Sequence, residues 1–128
     1  MRVDPVSVVH EYLRGIPELA AAVTGDLVGR EPNETAIYIE HAGGYRAVRD
    51  SMDRADITFQ VYSEHRDEAA ELAYLVRELL LEGLPGRRVG GALVLDVSEG
   101  ISPRYAPDST SREHSYLGEV SIFVTESS

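Results

Sequence analysis

The chain has 128 residues, a size at which one domain can bury a core of its own. Hydrophobic residues make up 43% and charged residues 27%, ordinary globular values. There is no cysteine, which excludes disulfides and thiolate metal sites, and 12 basic against 22 acidic residues give a formal charge of -10, which argues against a basic nucleic-acid platform.

No apolar run reaches the roughly 20 residues of a membrane span. The N-terminal stretch MRVDPVSVVHEYLRG carries acids and lacks an apolar signal core and a cleavage site, so a cytoplasmic protein is expected. The arginines are dispersed among acids. An acidic surface keeps a protein soluble and lets DNA slide past without adhering.

Asp4-Pro5 predicts a helix start, since Asp is a good N-cap and Pro tolerates the first helical position. Val8, Val9, Tyr12 and Leu13 recur at helical spacing, and Gly15 ends the helix. Pro17 opens a second short turn that stops near Gly25. Leu27 to Arg30 is a weak strand candidate, and Glu31 to Glu34 a turn. Ala36 to Glu40 is a better strand, with Ile37 and Ile39 on one face and Tyr38 and Glu40 on the other. Gly43-Gly44 is expected to break it, leaving 43–54 as a loop or an extended hairpin arm.

Ala55 to Leu81 reads as one strand turning directly into one amphipathic helix. Ile57, Phe59 and Val61 alternate with Thr58, Gln60 and Tyr62, as for a sheet with a single buried face. Ser63 or Asp67 is placed to cap the helix. Ala69, Leu72, Ala73, Val76, Leu79 and Leu80 form its apolar face, and Gly83 with Pro85-Gly86 ends it. Leu93 to Ser98 is the next strand, with Leu93, Leu95 and Val97 on one face. Gly100 to Arg112 is a loop rich in Pro, Ser and Asp. The last strand runs from about Tyr116 to Thr125, with Val120, Ile122 and Val124 toward the core, Glu119, Ser121 and Phe123 outward, and pairing antiparallel to Leu93–Ser98. The expected fold is a single α+β domain over 1–128. It has a mostly antiparallel sheet of four to five strands, two or three helices on one face, and the order α-β-β-β-α-β-β.

No catalytic or metal motif stands out. His10, His41, His65 and His114 have no metal-ligand spacing. The His65, Asp67 and Glu68 cluster is read as a solvated helix start, with a small carboxylate–imidazole site as the enzyme alternative. Asp50, Asp53 and Asp56 lack the spacing, glycine and terminal Glu of a calcium loop. No GxSxG elbow or phosphate-binding glycine pattern occurs, so no enzyme activity, cofactor or metal is expected. The aromatics are more informative. Tyr38, Tyr62 and Phe123 lie opposite the main apolar strand faces, while Tyr45, Tyr105 and Tyr116 lie in or beside loops. Such residues serve protein contacts or cross-strand pairing.

The phrases YLRG, IYIEHAGG, ITFQVYSEHRDEAAELAYLVRELL and VLDVSEGISPRYAPDSTSREHSYLGEVSIFV, in this order, resemble the tail terminator (tail-completion, minor tail) proteins of long-tailed bacteriophages. The resemblance covers nearly the whole chain and rests on fold-shaped patterns rather than catalytic letters. It implies a virion protein assembled in the host cytoplasm as a ring, expected to be a hexamer. The ring would cap the head-proximal end of the tail tube, end tube polymerisation and meet the head connector, with DNA passing through the lumen unbound. Its partners would be other copies of itself, the tail tube protein and the connector or neck protein. A related neck or head–tail joining protein, or a non-viral interaction domain, is the alternative. The expected contact residues are Tyr45, Arg46 and Arg49 in the first loop, Arg104, Tyr105 and Asp108 in the second, and Tyr62 and Phe123 on the outer strand face.

Overall fold

The computed structural model describes residues 3–24, 34–49, 51–107 and 113–126. Helix α1 (Pro5–Arg14) begins as its sequence dictates. The Asp4 carboxylate accepts from the Val6 N–H at 3.0 Å and satisfies one of the orphan donors of the first turn, while Pro5 has no N–H to satisfy. Val8, Val9, Tyr12 and Leu13 form its buried face. The chain stops at Gly15, whose N–H bonds the Glu11 and Tyr12 carbonyls, and hydrogen-bonded turns carry it through 16–22.

Six strands form one sheet. They are β1 (Val23–Thr24), β2 (Ala36–Val48), β3 (Met52–Ser63), β4 (Arg88–Val89), β5 (Ala92–Tyr105) and β6 (His114–Glu126), in the order β1-β2-β3-β6-β5-β4. All pairings are antiparallel except the short β1 with β2. The α+β class and the mostly antiparallel sheet therefore hold. The two helices fall within the two or three expected, but the sheet has six strands instead of four to five, with three after the second helix instead of two. The strand expected at Leu27–Arg30 lies outside the described residues.

Helix α2 (Arg66–Glu78) follows β3 after two residues and continues as a π-helical turn (Leu79–Gly83). Its N-cap position falls to His65, which makes no capping bond, rather than to Ser63 or Asp67. The Ser63 hydroxyl instead accepts from the His65 N–H at 3.2 Å. The Leu84 N–H reaches the Leu79 carbonyl at 3.1 Å, and the same carbonyl accepts from the Tyr12 hydroxyl at 3.2 Å. A side chain on Gly83 would collide with that hydroxyl, so the Tyr12 bond to the π turn depends on glycine here.

Both helices cover one sheet face. Phe59, Ile57, Val61, Ile37, Val120 and Ile122 from the sheet pack with Leu13 of α1, with Ala69, Ala73 and Val76 of α2, and with Leu80 of the π turn in one cluster, all with 0% exposure. Burying each large side chain contributes about 1.5–3 kcal/mol. The alanines bring α2 close to the sheet. An Arg77–Glu99 fork, at 2.6 and 3.2 Å, ties α2 to β5.

Three expectations fail for one reason, which is bulging. Gly43-Gly44 does not end β2, because the ladder shifts register between His41 and Gly43 and the strand runs on to Val48. Likewise β5 runs through Gly100 to Tyr105, with register shifts at Glu99/Ile101 and Ile101/Arg104. A further shift between Val94 and Asp96 leaves Leu95 as the extra residue and reverses the phase. Ala92, Val94 and Val97 are consequently the buried set, and Leu95 is 45% exposed.

Candidate functional site

Past the last β3–β6 pair, Asp53↔Val124, the β2–β3 hairpin continues as a short arm. Its ladder continues through Tyr45↔Arg54 and Arg46↔Asp53 to Val48↔Met52. Gly43 and Gly44 have φ of 153° and 135°, and a side chain on Gly44 would strike the Arg54 carbonyl. The arm can cross itself this tightly only because that position is glycine. Tyr45 is 59% and Val48 48% exposed, and Arg46 and Arg49 are exposed beside them.

At the base of the arm, polar side chains link across three strands of the uncovered sheet face. Arg54 donates through Nη1 to the Tyr45 hydroxyl at 3.3 Å and through Nε to Asp56 Oδ1 at 3.1 Å. Its guanidinium also lies 5.2 Å from the centre of the Tyr45 ring. The Ser121 hydroxyl donates to the same Asp56 oxygen at 2.7 Å. These bonds hold the Asp56 carboxyl below its usual value, the Ser121 bond first and the Arg54 bond and charge after burial, which opposes them. The Arg54 pKa is raised, first by the Tyr45 bond and then by Asp56. Tyr45 is thus anchored at its hydroxyl while its ring stays exposed. A cavity of about 360 Å³ lies beside the arm, between Tyr45, Arg54 and Val124 on one side and Val3 and Pro5 on the other.

The second expected contact region lies at the other end of the sheet. Asp53 faces Val124 in the β3–β6 ladder, whereas Tyr105 faces Tyr116 in the β5–β6 ladder. Eight residues of β6 separate these two positions, roughly 26 Å at about 3.3 Å per residue. Arg104 is exposed. Tyr105 is not a free contact. The Arg66 guanidinium lies 4.0 Å from its ring centre, the Tyr116 ring 5.5 Å away, and its hydroxyl is 2.8 Å from His114 Nδ1. Asp108 lies outside the described residues.

Of the expected contact residues, the fold therefore gathers Tyr45, Arg46 and Arg49 on the arm, and Arg104 and Tyr105 at the far corner. Phe123 is half-buried and faces Arg54 across the ladder, close to the arm. Tyr62 is a correction: it is 7% exposed and cannot serve as an open contact. It lies in register between Ala36 and Ser115, both buried. The Ser115 hydroxyl donates to the Ala106 carbonyl, which draws the chain leaving β5 over this corner. Sequence reasoning missed Arg54, Asp56, Ser121 and Val48. Asp56 and Ser121 both occupy outward positions of alternating strands, but only the β3–β6 register brings them together.

Both sheet edges are partly open among the described residues. β1 covers β2 only at Ile37 and Tyr38, and the chain at 86–89 covers β5 only as far as Val94. The bulges, the arginines and Pro103 on these edges are features that blunt indiscriminate strand addition.

The alternative centre at His65 and Asp67 consists of two exposed residues at the start of α2, while Glu68 is engaged by the Thr35 hydroxyl at 2.7 Å. Among the described residues no group of three or more His, Cys, Asp or Glu could hold a metal ion, and no helix is long and apolar enough to cross a membrane. No family model matches the chain, and no curated protein matches it significantly.

Proposed function

We propose that this chain is a structural virion protein that acts as a tail terminator. In this reading it forms a ring on the head-proximal end of the tail tube, ends tube polymerisation and offers a surface to the head connector, with no chemical step. One observation supports this reading beyond the sequence resemblance. One continuous sheet carries two different exposed surfaces, the arm with Tyr45, Arg46 and Arg49 and the Arg104 corner, at opposite ends. A ring requires such an arrangement, because each copy must touch its two neighbours through unlike faces. The charge of -10 suits a channel that DNA traverses without adhering.

Labelling of virions tests the reading. Gold-coupled antibody against the chain, applied to particles from cells that express it, is expected to mark the junction of head and tail. Label along the tail shaft, or on no particle, rejects the assignment. A neck or head–tail joining protein would place the label on the connector side of that junction.

A further inference from the structure

We propose that the β2–β3 arm of one copy seats in a groove between the 16–22 turns and helix α2 of a second copy. The contact deepens the ring reading by naming where neighbouring copies touch, and it rests on that reading for ring closure.

The groove encloses about 550 Å³. Ala22, Leu72 and Leu75 form an apolar floor, each packed on the core from below and only partly buried. Glu18, Glu68 and Glu71, all exposed, line its rim. The arm offers apolar side chains and arginines, with Asp53 across the ladder from Arg46. Tyr45 and Val48 are among the large apolar side chains most open to solvent, and Arg46 and Arg49 flank them. Tyr45 and Val48 match the floor, and the positive charge of the arm, Arg49 at its tip above all, matches the carboxylates. In a chain of net charge -10, an arm bearing exposed arginines complements the acidic surface of another copy better than it would a basic partner.

The occupant cannot be the chain's own arm. Thr35 lines the groove and immediately precedes β2, whereas Val48 ends that strand. A strand of this length spans about 40 Å at about 3.3 Å per residue. The arm therefore points away from its own groove at the far end of a stiff sheet and reaches only a neighbour's. Arm and groove are different surfaces, so the contact is head-to-tail and repeats from copy to copy until a ring closes.

Two charge-reversed variants test this by sedimentation. The first is Arg46→Glu with Arg49→Glu, and the second is Glu18→Arg with Glu71→Arg. All four side chains are exposed, so unfolding temperatures should match the native chain. Each variant alone should associate at least about a hundredfold more weakly than the native chain. An equimolar mixture of the arm and groove variants should associate again, in alternating order, because each arm then meets a groove of opposite charge. Variants that associate like the native chain overturn the contact and leave the ring reading standing. The native sequence has no cysteine, so Arg49→Cys with Leu75→Cys adds an independent readout. Oxidation at millimolar concentration should give a ladder of linked copies. Absence of the ladder overturns the contact even if the native chain sediments as a monomer.

Discussion

The Phe59 ring lies over Gly118 across the β3–β6 ladder, where a side chain on Gly118 would overlap the ring carbons. Phe59 is fully buried and Gly118 is buried beside it. The glycine thus makes room for the largest fully buried side chain. Gly118→Ala is expected to destabilise the fold by about 1–3 kcal/mol through overpacking. In a Phe59→Leu background the same change should cost less, a coupling that urea unfolding of the four proteins in the cycle would measure.

The link from Ser121 to Asp56 makes part of the stability acid-sensitive. The Asp56 carboxyl titrates below its unfolded value, so its contribution is complete above that value and is lost as pH falls through the folded one. Ser121→Ala removes the largest cause of the shift. The urea midpoint of this variant should fall less steeply between about pH 5 and pH 2 than that of the native chain. Glu99, held low first by its hydrogen bond from Arg77, should maintain a residual slope in both proteins.

Gly44 controls the shape of the arm. With φ of 135° and the Arg54 carbonyl where its side chain would go, Gly44→Ala should strain the hairpin by about 1–3 kcal/mol. Hydrogen exchange locates the effect. Amides of the arm, from Tyr45 to Arg54, should exchange faster, while those at Ile57 to Val61 keep their protection.

The elements legible in the sequence are those whose period is unbroken. Asp4-Pro5 with Val8, Val9, Tyr12 and Leu13 specified α1, and the alternation through Ile57, Phe59 and Val61 specified the centre of β3. Bulges hid the rest. One extra residue at Leu95 reverses which side chains face inward, and nothing in LVLDV marks the slip. Gly43-Gly44 and Pro103 are residues that commonly end strands. Here they occupy edge strands, where an irregular ladder tolerates them. The arm arginines were legible as candidates because they lay between strands. The polar link of Arg54, Asp56 and Ser121 was not, since it depends on a register between residues 65 positions apart. Tyr62 misled because alternation assigns a face but does not show whether another segment covers it.

Imaging of the concentrated 128-residue chain by negative-stain electron microscopy tests the central claim most directly. Head-to-tail contact through unlike surfaces predicts closed rings of one size, six copies by the resemblance to tail terminators. Two-fold symmetric dimers, in which the same surface meets itself, would contradict it.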